Sequence, residues 1–229
     1  MTAAASRPHD PQDGPDSSRP TAAVSMYKRA LGALAGLALG DALGMPTQSM
    51  SPEQIRQHYN TITGLHDAVA EQPIAPSMPA GSITDDTEQA LILAGLLVEG
   101  DGRIDPLRLA EALLSWEDDM RARGSLDLLG PSTKRALERV RTGADPRQTG
   151  REGTTNGAAM RVTPVGIAFR LGTTGDGLAQ AVHESCLVTH DTRQGFEAAG
   201  LIAAAVSAAI DGADAASALE AALSFVSAH

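Results

Sequence analysis

The segment Ser82-Ile83-Thr84-Asp85-Asp86-Thr87-Glu88 sets two adjacent carboxylates between hydroxyl side chains at the threshold of a helix. Hard oxygen donors of this kind hold a divalent cation. Consecutive helical residues diverge by about 100°, so Asp85 and Asp86 cannot both cap one amide. They can aim at two neighbouring ions, or at one ion and its water. The competing reading is a capped and solvated first turn, because the helix dipole favours acidic residues there. Ser82 or Thr84 is the expected cap, and the run from Ala90 to Val98 supplies the apolar positions that bury the helix.

Four further segments carry candidate chemistry. Gly40-Asp41-Ala42-Leu43-Gly44-Met45-Pro46 closes a helix with a carboxylate and a glycine turn. Asp at a helix C-terminus opposes the dipole, so Asp41 requires compensation from a polar partner or a metal. Gly153 to Arg161, including Thr154-Thr155-Asn156-Gly157, puts small residues and amide donors ahead of a helix. Unpaired N–H groups in such a place bind phosphate, and an Asn-capped helix is the alternative. Pro164 falls in the first turns of that helix, where it need not break it severely. In Val188-Thr189-His190-Asp191-Thr192 an imidazole adjoins a carboxylate, so His190 can orient a substrate, exchange a proton or cap a helix. Gly130-Pro131-Ser132-Thr133-Lys134, after Ser125-Leu126-Asp127, lacks the P-loop frame and reads as a substrate-facing loop. No HExxH, nucleophile elbow or dinucleotide fingerprint occurs.

The elements that must position these residues are helical. Aromatic residues make up 3% of the chain, β-branched alternation is nearly absent, and Ala/Leu blocks recur between Gly, Pro and Asp, so the expected fold is all-α. The patterns predict helices at 26–41, 51–58, 84–100, 105–121, 130–142, 156–171, 175–186, 191–211 and 213–228. Gly32, Gly36 and Gly40 form a stripe on the first of these, expected to admit a close helix neighbour in the core. The irregular stretch from His58 to Gly81 reads as a binding loop or lid, or as plain surface.

Domain organisation is expected to be a disordered tail over 1–25, rich in Pro, Ser and Asp, then a single helical domain over 26–229. The formal charge of −10 opposes binding to nucleic acid and to anionic lipid. The apolar runs Leu31–Leu39 and Phe196–Ile210 are too short or too interrupted for a bilayer, so no membrane partner is expected. The lone cysteine, Cys186, reads as a buried small hydrophobe and fits a reducing, cytoplasmic location.

Taken in order, Gly36-x3-Gly40-Asp41-Ala42-x-Gly44-x-Pro46, Thr84-Asp85-Asp86-Thr87, Asn156-Gly157-Ala158-x-Met160-Arg161-x2-Pro164-x-Gly166 and Thr189-His190 resemble the ADP-ribosylglycohydrolase family. The match runs from about residue 28 to 212. The 130–134 and 154–157 phrases look like a bacterial branch associated with nucleoside-like ribosides.

The resemblance implies an orthogonal helical bundle around a cleft holding two Mg²⁺ or Mn²⁺ ions, which bind ribose hydroxyls and help water cleave an ADP-ribosyl bond. The substrate would be an ADP-ribosylated protein or an ADP-ribosyl or ribosyl small molecule. By position, Thr84, Asp85 and Asp86 would be metal ligands, with Asp85 and Asp86 also catalytic. Asp41, Gln48, Asn156, Gly157, Ala158, Met160 and His190 would bind substrate. Gln48 stands where the family usually has Glu; an amide can coordinate or hydrogen-bond but cannot act as a base. The family's C-terminal Gly-Gly-Asp-Thr-Asp-Thr-like phrase has no counterpart before His229, so the bundle is expected to lack its C-terminal portion. These departures suggest an inactive structural or binding member of the same fold as a second reading. The Asp pair and helix N-termini, which serve phosphate chemistry too, leave a metal-dependent phosphohydrolase releasing inorganic phosphate as a third.

Overall fold

The computed structural model describes residues 21–123, 129–172 and 176–229. Ten α-helices occur among them: α1 (Thr21–Gly44), α2 (Pro52–Tyr59), α3 (Asp85–Glu99), α4 (Pro106–Ala122), α5 (Pro131–Arg141), α6 (Gly157–Arg161), α7 (Thr163–Ala168), α8 (Gly177–Cys186), α9 (Arg193–Asp211) and α10 (Ala215–Ala228). Short 3-10 turns cover Met45–Thr47 and Pro146–Glu152, and no strand is present among the described residues. The expected all-α class is what the chain forms. Residues 1–20 of the expected tail and the 125–127 part of the expected loop lie outside the described residues, whereas 21–25 belong to α1 rather than to a tail.

Local sequence accounts for several helix starts. Asp105 caps α4 at Leu107 N (2.8 Å) with Pro106 following, Thr192 caps α9 at Gly195 N (3.0 Å), and Asp214 caps α10 at Ser217 N (2.8 Å). Helix α9 ends at Gly212, whose φ of 110° is the left-handed turn that glycine adopts without penalty.

The expected single helix over 156–171 is two, α6 and α7, meeting at Val162. Pro164 has no N–H and its ring conflicts with the carbonyl one turn back, so the helix restarts with Pro164 near its N-terminus. The restart brings α7 very close to α9: a Cβ on Gly166 would lie 2.4 Å from Ala203 O.

The core is built from Leu93 and Leu97 of α3, Leu109 and Leu113 of α4, Leu137 of α5, Val162 and Val165 around the α6–α7 junction, Val182 of α8, and Ala199, Ala203 and Ala204 of α9. The alanines matter here, because small side chains let helix axes approach and close-pack without aromatic bulk. Helix α9 is the hub, packing against α10, α8, α7, α6 and α1.

Two expectations for α1 are corrected. Gly32, Gly36, Gly40 and also Gly44 have open space around them, so the glycine stripe is not a buried contact, and Leu31 and Leu39 beside it are exposed. The apolar run expected to be too short for a bilayer lies in a 24-residue helix that is, by length and composition, long enough to cross one. Helix α1 nevertheless packs on α3, α7 and α9, with Arg29 Nη1 donating to Ile210 O (3.2 Å).

Candidate active site

The N-terminus of α3 is not capped by its own chain neighbours. Thr84 occupies the cap position, but its side chain makes no capping bond and neither Ser82 nor Thr84 fills the expected role. The cap comes from α1. Asp41 Oδ2 accepts from Thr84 N (2.8 Å), Thr87 N (3.2 Å) and Thr87 Oγ1 (2.6 Å), while Oδ1 accepts from Thr84 Oγ1 (2.7 Å). This is the compensation that a carboxylate in the last turns of α1 requires: its charge sits on the positive end of another helix. The same contact fixes α1 against α3 and orients Asp85 and Asp86.

Those two carboxylates differ in surroundings. Asp85 is 5% exposed, and burial, with the charges of Asp86 and Asp41 in support, pushes its pKa up to about 7. Asp86 is half-buried, and burial followed by Asp41 raises its pKa as well. Three acids share this corner, so removing water from it is costly unless protons or a cation neutralise the charge.

Two adjoining hollows meet at Asp86. The larger, of about 600 Å³, is lined by Asp41, Gln48, Asp86, Asn156, Met160 and Thr163 among others. The smaller, of about 330 Å³, is lined by Asp85, Asp86, Gln48, Lys134, Thr155 and Asn156 among others. Asp86, Gln48, Asn156 and Met160 belong to both. Gln48 is held from behind by the irregular loop: the buried Gln72 Nε2 donates to Met45 O (3.1 Å) and Gln48 O (3.2 Å). Ile74 of that loop lines the smaller hollow.

The opposite wall is a strap, residues 146–156, laid on the turn at 187–192. Thr149 Oγ1 donates to Val188 O (2.7 Å), Gly150 N to Leu187 O (3.1 Å) and Thr192 Oγ1 to Gly153 O (2.8 Å). No side chain fits between them: a Cβ would fall 2.4 Å from Leu187 O at Gly150 and 2.1 Å from Thr189 O at Gly153. Asn156 makes no side-chain capping bond to α6 and is exposed at the cleft.

The structure brings Asp41, Gln48, Asp85, Asp86, Asn156 and Met160 to one cleft. It does not place the rest of the expected set on its surface. His190, expected on the substrate wall, is fully buried behind it, its Nε2 2.9 Å from Thr155 Oγ1 and its ring against Gly157. Gly157 and Ala158 are likewise buried behind the wall because α6 turns them toward the core. Thr84, expected as a metal ligand, is 1% exposed and its hydroxyl is committed to Asp41. Two contributors escaped the sequence reading. Thr163 lines the larger hollow, and Gln89 lies one turn beyond Asp85, where it accepts from the buried Arg161 Nη1 (3.1 Å). Only the four-residue spacing from Asp85 to Gln89 hints at their shared face.

Carboxylate and hydroxyl oxygens are the chemistry a hard divalent ion takes, and Asp41, Asp85 and Asp86 bring three carboxylates together at this corner. No group of three His, Cys, Asp or Glu is arranged to hold a metal among the described residues, so most of an ion's shell would be water.

The buried groups make stability depend on pH with opposing signs. Folded Asp85 keeps its proton up to about 7 whereas the unfolded side chain loses it at 3.8, so its contribution falls as pH rises between those values. Burial, then the Arg161 charge, drives His190 down to about 3 from 6.5, so its contribution grows with pH across that window. Asp85→Asn removes only the first slope. In chelator, the melting temperature of the variant is expected to climb between pH 4 and 6.5, where the parent changes less, and to exceed the parent's at pH 8. A parallel pair of pH profiles would contradict the burial account of Asp85.

Comparison with known proteins identifies the family. The family model for ADP-ribosylglycohydrolase matches residues 22–229. An uncharacterized Escherichia coli K12 protein, YegU, is 36% identical over 185 residues, 81% of this chain and 55% of its own length. The ADP-ribosylarginine hydrolase Tri1 of Pseudomonas putida is 33% identical over 195 residues, 81% of this chain and 48% of its own. The ADP-ribosyl-[dinitrogen reductase] glycohydrolase of Rhodospirillum rubrum is 35% identical over 147 residues, 63% of this chain and 46% of its own. The chain thus spans about half the length of the curated relatives it matches. With the motifs of α1, α3 and α6 gathered at one cleft and the match extending over nearly all described residues, the chain belongs to the ADP-ribosylglycohydrolase family.

Proposed function

We propose that the protein hydrolyses the glycosidic bond between ADP-ribose and a modified protein side chain, with Mg²⁺ or Mn²⁺ as cofactor. The observation that carries this reading is the meeting of both hollows at Asp86 and Asn156, with Asp85 and Asp41 behind. A two-lobed cleft with acids at its waist suits a ligand whose reacting carbon lies between two polar halves. The relative named ADP-ribosylarginine hydrolase supports an arginine-linked substrate, and the one named ADP-ribosyl-[dinitrogen reductase] glycohydrolase supports a modified protein as the substrate.

In the reaction, the bond from the anomeric carbon to the side-chain nitrogen breaks and a bond to water oxygen forms, with a proton passing to the departing nitrogen. The transition state resembles an oxocarbenium ion, and the Asp41, Asp85 and Asp86 cluster stabilises that positive charge. Asp86, the more open of the pair, orients the ribose hydroxyls and accepts a proton from water. Asn156 and Gln48 offer amide groups to the ligand on either side. A bound divalent ion, held by Asp86 and Asp85 with Thr84 behind them, would neutralise the corner and make a water more acidic.

A binding protein on the same scaffold is the second reading, favoured by Gln48 in place of an acid and by the small number of ligands. Release of ADP-ribose from an ADP-ribosylarginine protein separates the two. The 229-residue chain is expected to release it with Mg²⁺ or Mn²⁺ and not in chelator. Retained label under every condition would support the binding reading instead.

A further inference from the structure

Behind the cleft wall runs a buried polar chain whose direction is fixed by its first member. Arg161 has no exposed surface; Nη1 donates to Gln89 Oε1 (3.1 Å), and Nη2 donates to Ser185 O (2.9 Å) and Thr189 Oγ1 (2.6 Å). A guanidinium has donors and no acceptor, so the Thr189 oxygen must receive from it. The proton of the Thr189 hydroxyl then needs an acceptor. The partner within reach is His190 Nδ1, at 2.8 Å. A neutral imidazole carries one proton, and with Nδ1 accepting, that proton is on Nε2. Burial and the Arg161 charge keep the ring neutral, with its pKa down to about 3. Nε2 therefore donates to Thr155 Oγ1, 2.9 Å away.

Thr155 is the end of the chain and the one member that lines the cleft. Its oxygen already receives from His190, so its own O–H is left to donate outward, into the hollow shared with Asp85, Asp86 and Lys134. We infer that Thr155 is a substrate-binding residue that donates a hydrogen bond to an oxygen of the ADP-ribosyl group, and that Arg161, Thr189 and His190 are positioning residues that set the direction of this bond. The inference rests on the functional reading above for its ligand, but the direction of the chain stands on the protein alone. It also gives the buried His190 a role without titration: a neutral relay that accepts on one nitrogen and donates on the other.

Two measurements test it. Ring ¹⁵N NMR of the 229-residue chain, with His190→Gln to assign the signal, is expected to show the tautomer protonated on Nε2; protonation on Nδ1 would reverse the chain and overturn the inference. Titration with ADP-ribose in Mg²⁺ is expected to show binding about tenfold weaker for Thr155→Val and near parental for Thr155→Ser, the loss of one hydrogen bond. Equal affinity for the parent and the valine variant would remove Thr155 from the binding set. Failure of the unsubstituted chain to bind ADP-ribose would count against the proposed function, while the tautomer would still decide the direction of the chain.

Discussion

Asp41→Ala is expected to lower the melting temperature by about 6–12 °C, whereas Asp41→Asn should lower it far less. The alanine removes the acceptor of two backbone N–H groups at the start of α3 and of two threonine hydroxyls. Hydroxyls can rotate to other partners; the N–H groups cannot. Orphaning them beside the buried Thr84 and Thr87 costs about 3 kcal/mol, and about 2–4 °C is lost per kcal/mol in a chain of this size. Asparagine keeps an oxygen where Oδ2 was and puts an N–H₂ where Oδ1 was, which Thr84 Oγ1 can meet as an acceptor. It also relieves the like-charge burden on Asp85 and Asp86, for both of which Asp41 raises the pKa. Thermal unfolding followed by circular dichroism reads the difference. Equal losses in the two variants would mean that the negative charge, rather than the acceptor geometry, holds α3 in place.

This cap also marks the boundary of what the sequence reveals. The helices were legible because Ala/Leu blocks between Gly, Pro and Asp carry their own start and stop signals, and α4, α9 and α10 begin at local caps, with α2 capped by Ser51. The acid pair was legible because Thr84 to Thr87 is a compact motif. The bond from Asp41 to Thr84 was not, since 43 residues separate the partners and no local rule connects them.

His190 illustrates a second limit. An imidazole next to a carboxylate reads as accessible chemistry, yet the glycines at 150, 153 and 157 let the strap and α6 close over it, which only the packed backbone discloses. Along α1 the outcome ran the other way. A glycine stripe reads as a close contact, but without knowledge of what faces it the pattern does not distinguish a packed groove from an open one. Pro164 was read as tolerable within one helix over 156–171, whereas the helix breaks and restarts there, and the seating of Gly166 on α9 depends on tertiary fit.

In the proposed reaction the carboxylates at the start of α3 hold a divalent cation, which in turn holds the ADP-ribosyl group. Replacing both Asp85 and Asp86 with alanine should therefore abolish ligand binding rather than merely slow turnover. Changes in the outer shell of a metal site already cost about 10–100-fold in affinity, and removing the ligands themselves should exceed that. The corner would remain folded, because Asp41 and not the acid pair supplies the cap of α3. Calorimetric titration of ADP-ribose into the parent and the double variant, each with Mg²⁺ and with chelator, is the most direct measurement. The account predicts binding by the parent in Mg²⁺ alone, with about a hundredfold loss or more in the other three conditions; affinity that survives both the double substitution and the chelator would contradict it.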